Sequence, residues 1–254
     1  MTMRYYQPER RLIVDQLVPP AAGFFLDIGC ACGHVSAYLA QAHGLSEVGL
    51  EINTALLKEA QGYYPWFHNF RSGNGTALPF ADSSFDLVVL REVLEHVGDE
   101  EGLVREVVRV LKPGGQLVMS VPNRSLISLL DLNRAKFYVP TLHRAVYWMK
   151  HRGNLEGFRQ EETNHRHYSL TELGELLGGE FEIERHLYFG SLPYMVTVVC
   201  TPFLPTGPPF DSWLPDRLAK TFKRNLGRHS AAIALCARKK VKCETSGKTN
   251  ANRN

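Results

Sequence analysis

The apolar positions of the chain alternate between two spacings. "GFFLDIG" is a short apolar run bounded by glycines and predicts a buried strand. "HVSAYLAQAHG" follows with apolar residues at helical spacing and a closing glycine. "EVGLEI" predicts a second strand, and "NTALLKEAQG" a helix capped by Asn53 and closed at Gly62. A weaker third strand is expected around "FHNFRSG". "FDLVVL" is a fourth, continuously apolar as a strand covered on both faces should be. "DEEGLVREVVRVL" is an amphipathic helix with Leu103, Val107, Val110 and Leu111 on one face. "KPGG" is expected to turn the chain into a fifth strand, "QLVMSVP". Later, "YSLTELGELLG" predicts a helix with Ser169 as its cap and Glu172 at the capping-box position. "FEIERHLYFG" and "SAAIALCARK" read as two closing strands.

Strand–helix repetition of this kind builds an α/β, doubly wound, mostly parallel sheet, because each parallel crossover must carry a helix. Such sheets bind ligands beyond the carboxyl ends of their strands. Those ends present Asp27, Glu51, Asn74 and Arg91. Two stretches, at about 123–165 and 191–228, exceed ordinary connections and are expected to be helical cap insertions. They interleave residues such as Leu129, Phe137 and Trp148 with Arg134, Lys136 and Arg144. One reading is a pocket for a lipid-linked acceptor visited at the membrane surface. The other is that the insertions pack on each other and on the sheet. The organisation expected is one domain over 1–240 and a disordered basic and polar tail over 241–254.

Composition changes this picture little. In 254 residues, 44% are hydrophobic and 22% charged, an ordinary globular balance. The net charge of +3 owes much to the tail, so nucleic acid is not a favoured partner. Five cysteines do not form a disulfide framework, and Cys30 and Cys32 lack a second ligand pair for zinc. A reducing, cytoplasmic setting is expected, with peripheral membrane contact as an addition. No secretory leader is read at the N-terminus, and no stretch reaches the roughly 18 apolar residues of a membrane span.

The first strand-to-helix loop carries the chemistry. A dinucleotide fingerprint requires G-x-G-x-x-G around a pyrophosphate. Aligned on Gly29, this chain has Gly29, Ala31 and His34, and Asp27 would repel a pyrophosphate. A positively charged nucleoside without phosphate removes both objections, and S-adenosylmethionine is such a cofactor. Asp27 can favour its cationic end, and Glu51 can accept two hydrogen bonds from the ribose hydroxyls.

"LDIGCACG", "VGLEIN", "GNGTALPFADSSFDLVV", "EVLEHV", "LKPGGQLVMSVPN" and "HRHYSLTELGELL" together resemble the class I S-adenosylmethionine-dependent methyltransferases, most of all the branch related to ubiquinone and menaquinone biosynthesis. The resemblance implies a Rossmann-like seven-stranded sheet with an antiparallel closing strand. It implies cofactor contacts at Asp27, Gly29, Cys30, Ala31, Gly33, Glu51, Ile52, Asn74, Gly75 and Arg91. The sequence departs from the pattern twice: Ala31 replaces the usual middle glycine and Asn74 the usual acid. Ala31 is expected to keep a negative φ, since a methyl group disfavours the left-handed region. Asn74 is expected to offer its side-chain carbonyl to the adenine amino group.

For the methyl acceptor, His96, His167 and Tyr168 are the candidate catalytic groups, histidine because it titrates near neutral pH. The last two have the alternative of packing the rim. Glu92, Glu95 and His96 match a pattern linked to a divalent metal in related ubiquinone-pathway enzymes, but metal binding is not favoured. The expected activity is methyl transfer to a small-molecule or lipid-linked acceptor, more readily at oxygen. The alternatives are a silent cofactor-binding interaction module and a nicotinamide-dependent oxidoreductase. The oligomeric state stays open.

Overall fold

The computed structural model describes residues 16–19, 23–44, 46–125, 166–190 and 226–241. The expected cap insertions and tail lie almost wholly outside them. Seven strands form one sheet: β1 (Phe24–Ile28), β2 (Ser46–Glu51), β3 (Phe70–Ser72), β4 (Phe85–Arg91), β5 (Leu111–Pro122), β6 (Phe181–Phe189) and β7 (Ala232–Lys239), in the order β3-β2-β1-β4-β5-β7-β6. The pairs among β1 to β5 are parallel, and β7 runs antiparallel to both β5 and β6. The described helices are α1 (His34–His43), α2 (Thr54–Tyr63), α3 (Glu100–Val110) and α4 (Leu170–Leu177), with a 3₁₀ turn at Leu94–His96.

The two-residue period of the strands sorts side chains onto two faces. Leu26, Val88, Leu90, Leu117 and Met119 pack with Leu103, Val107 and Val110 of α3 and with Leu173 and Leu177 of α4. Phe25, Leu87, Val89 and Val118 face Val35 and Leu39 of α1 and the N-terminal pair Leu17 and Val18. Each fully buried leucine or valine contributes about 1.5–3 kcal/mol, so β1, β4 and β5 anchor the sheet. Both helix starts read from the sequence carry their caps. The Asn53 side chain accepts from the amides of Ala55 and Leu56, and Ser169 with Glu172 forms a reciprocal capping box.

Two expectations are corrected. α2 runs through Gly62 to Tyr63, where the Tyr64 amide closes on the Ala60 carbonyl. A Cβ at Gly62 would meet no atom within 4 Å, so that glycine carries no terminating role. The "KPGG" segment does not turn the chain away but belongs to β5. Leu111 pairs with Phe85 and Gln116 with Leu87, so the intervening residues form a bulge opposite Asp86. Gly114 takes φ 75° there, and Lys112 Nζ reaches Asp86 at 2.8 Å.

Candidate functional site

At the carboxyl ends of β1, β2 and β4 the sheet opens into a hollow of about 700 Å³. The strand order reverses between β1 and β4, which is where a doubly wound sheet places its ligand crevice. One half of the lining is Ile28, Gly29, Ala31, Leu50, Glu51, Ile52, Leu56 and Gly73 through Thr76. The other is Arg91 to Val93 and His96 to Asp99.

The first loop is held by close approach. The amides of Gly29 and Cys30 both donate to the Leu50 carbonyl, at 2.7 and 3.0 Å. Gly29 has φ 72°, and a Cβ there would come within 2.4 Å of Val93. Gly33 has φ 74° and abuts the ring of Phe70, so the close packing of helix on sheet falls to Gly33 and not to His34. His34 opens α1 with its imidazole 2.6 Å from the Tyr64 hydroxyl, which joins α1 to the end of α2.

Ala31 corrects an expectation: its φ is 48°, in the left-handed region. The Ala31 amide donates to Glu51 Oε2 at 3.0 Å, and this bond holds the strained turn. Glu51 Oε1 in turn accepts from the Asn53 amide at 2.9 Å. The carboxylate, 8% exposed, is thereby oriented at the edge of the hollow, with a lone pair remaining on each oxygen.

Asp27 is 2% exposed and is not among the lining residues. Its Oδ2 accepts from Ser36 Oγ at 2.6 Å, tying the tip of β1 to α1. Burial pushes its ionisation up to about 6, against the lowering effects of the Ser36 bond and the nearby Arg91 charge. Cys30 is also outside the lining, buried beside Ala37 and Phe67, and burial raises its thiol pKa. Burial, then the bond to Glu59, pushes the Cys32 thiol up to about 11.

Asn74 lines the hollow, but its side-chain carbonyl accepts from the Thr76 amide at 3.1 Å, an Asx-type turn that shares the acceptor expected for adenine. Gly75 beside it could not carry a side chain without pressing on Leu103 and Ile28. Ile52 projects at 68% exposure, an apolar surface on the rim.

Of the acceptor-side candidates, the structure brings Glu92 and His96 to the hollow and leaves His167 and Tyr168 out of its lining. Both latter residues are buried, and the single Tyr168 O–H is shared between Glu100 at 2.9 Å and the Leu94 carbonyl at 3.2 Å. Burial and the Glu100 bond raise that phenol above its ordinary range. Glu95 is buried, with His96 Nε2 4.0 Å from its Oε1. Among the described residues no three His, Cys, Asp or Glu side chains are grouped to hold a metal ion, so Glu92, Glu95 and His96 do not converge as a ligand set.

Sequence reasoning missed the conformation of Glu92. It has φ 53°, its amide donates to the Ser120 carbonyl at 2.9 Å, and Ser120 Oγ donates to its carboxylate at 2.9 Å. The β4–β5 register, which pairs Arg91 with Ser120, sets this contact, and no local signal announces it. Leu56, Thr76, Val97 and Asp99 were also missed as lining residues, although each flanks a motif at a strand end.

A strand-end carboxylate bound to the glycine-loop amide stands at a hollow at the switch point. Residues 26–119 match the family model described as a methyltransferase domain. The demethylmenaquinone methyltransferase of Renibacterium salmoninarum is 38% identical over 111 residues, 44% of this chain and 46% of that one. The ubiquinone biosynthesis O-methyltransferase of Pseudomonas entomophila is 33% identical over 147 residues, 54% of this chain and 61% of its own length. The chain thus spans about half the length of the curated relatives it matches. The solved S-adenosylmethionine-dependent methyltransferase of Mesorhizobium loti shares the fold, with a TM-score of 0.59 at 19% identity over 91% of this chain and 97% of that one. The matched residues run from within β1 into β5 and so take in the strands whose ends form the hollow. The Glu51 acceptors and the close glycine approaches around the hollow fit the S-adenosylmethionine that the sequence resemblance implies.

Proposed function

We propose that this protein transfers a methyl group from S-adenosylmethionine to a small-molecule acceptor, at oxygen, the acceptor being lipid-linked. The observation that carries the reading is Glu51. Its two oxygens are fixed by the amides of Ala31 and Asn53 at the edge of a hollow of nucleoside-accommodating size, and each retains capacity for a ribose hydroxyl. Ile52 offers an apolar face for the adenine and Asn74 a polar edge. The buried Asp27 contributes a negative field toward the cationic end of the cofactor when ionised.

The cofactor supplies an activated methyl group on a sulfonium, and the chain's part is to align, desolvate and remove a proton. Alignment of the acceptor accounts for about 7–11 kcal/mol in favourable cases and a general base for about 10²–10⁴-fold. His96, which lines the same hollow as Glu51, is the base favoured for a hydroxyl acceptor. Oxygen draws support from the name of one relative, a ubiquinone biosynthesis O-methyltransferase, and a quinone-type acceptor from that name and from the demethylmenaquinone methyltransferase.

The test is binding together with turnover. Calorimetry is expected to give S-adenosylmethionine binding that weakens at least tenfold in Glu51→Gln, and a panel of quinol and phenol acceptors is expected to yield S-adenosylhomocysteine. Cofactor binding with no product across the panel would support a silent binding module instead. Unaltered affinity in Glu51→Gln would overturn the site assignment.

A further inference from the structure

A second hollow, of about 730 Å³, opens on the same edge of the sheet over the ends of β5 and β6. Its lining shares no residue with the first. Tyr168, fastened to Glu100 and Leu94, lines neither, while His96 to Asp99 line the first hollow and Ser169 to Thr171 the second. The methyl-transfer reading makes no use of it.

The chemistry of this second lining is one-sided. It presents Arg124, Arg228 and His229 together with the polar Asn123, Ser125, Ser169 and Thr171, and no carboxylate is among the described lining residues. The two arginines come from two segments whose backbones are fixed by hydrogen bonds. Arg124 follows β5, its amide donating to the Tyr168 carbonyl at 2.8 Å. Its Nη2 reaches Glu172 at 2.8 Å and the His167 carbonyl at 3.3 Å, while Nε and Nη1 carry the other three N–H groups of the guanidinium. Arg228 sits in the 3₁₀ turn Gly227–His229, and the buried Asn123 amide group clamps the carbonyls of Arg228 and Ser230 at 3.0 and 2.7 Å. Leu170 and Thr171 belong to the first turn of α4, where backbone amides precede the first intrahelical bonds.

We propose that this second hollow is a binding site for a phosphoryl group. Donors converging from the β5 exit, the start of α4 and the turn before β7 suit a tetrahedral group with three terminal oxygens better than a planar carboxylate with two. Arginine forks match phosphate oxygens in the same way. The volume leaves room for an organic body beside the phosphate, against Leu170 and Tyr188.

Inorganic diphosphate titrated into the full chain by calorimetry tests this. The wild type is expected to bind it, with affinity falling as salt rises, and Arg228→Gln to bind about tenfold or more weakly. That substitution leaves the Asn123 contact to the Arg228 carbonyl in place, and an unchanged melting temperature reports an intact fold whether or not the cofactor binds. Equal affinity in the two proteins, no binding in the wild type, or displacement of diphosphate by S-adenosylmethionine would each overturn the site. Phosphatidylcholine vesicles with and without phosphatidic acid separate the sources. Arg228-dependent pelleting that diphosphate competes away identifies a lipid headgroup, and diphosphate binding without pelleting identifies a soluble phosphate ester.

Discussion

Ala31 holds a backbone conformation that its own side chain opposes. At φ 48° the methyl group costs about 1 kcal/mol relative to glycine, and the bond from its amide to Glu51 offsets part of that. Ala31→Gly is therefore expected to raise the denaturant midpoint by the equivalent of about 0.5–1 kcal/mol, since the native bond is retained. Urea unfolding checks this, and a fall in midpoint would show that the alanine is not strained. Asp27 makes a different prediction. Burial, the largest cause, raises its folded pKa to about 6 from an ordinary value near 3.8. Between those values the native protein keeps a proton that the unfolded chain has lost, so stability declines as pH rises from about 4 to 6, by up to roughly 3 kcal/mol. Asp27→Asn should flatten that decline in unfolding curves measured across the window. Because a cationic ligand favours the ionised carboxylate, S-adenosylmethionine affinity should strengthen as pH rises through 6 in the wild type and not in the variant. Asp27 and Glu51 were legible in the sequence because an acid closing an apolar strand is conspicuous. The sign of the Ala31 φ was not, because the bond that compensates it comes from a residue on another strand.

Between elements, the notable unit is the tie at Asn123. Its amide donates to the Ala231 carbonyl at 2.8 Å, the Ala231 amide to Gly190, and the Tyr168 amide to Pro122, so the ends of β5 and β6, the start of β7 and the approach to α4 meet at one buried residue. Asn123→Ala removes the side-chain donors to two carbonyls and is expected to lower stability by about 2–4 kcal/mol, read as a lower urea midpoint. Loss of under about 0.5 kcal/mol would mean that water satisfies those carbonyls. The elements themselves were mostly legible. Asn53 and the Ser169–Glu172 pair mark helix starts through side chains within three residues of the amides they serve. Gly62 and "KPGG" misled because a glycine signals a permitted break and not an obligatory one. In both places neighbouring strand or helix hydrogen bonds were available to continue the element.

For the whole molecule, the alternating periods of apolar residues already specify helices packed on a mostly parallel sheet, because each buried stripe needs a covering element. That pattern, with acids at the tips of β1 and β2, by itself points to the ligand edge of the sheet. Tertiary structure alone decided which of the candidate groups face the same space. His96 and Glu92 line the hollow, whereas the hydroxyl of Tyr168 is taken up by Glu100, which lies 68 residues earlier in the chain. The second hollow follows the same rule, since its arginines are about a hundred residues apart and meet only through Asn123. Periodicity is a property of neighbours along the chain and survives in one dimension. The direction in which a side chain points is set by strand register and by partners from distant segments, and these exist only once the sheet has closed.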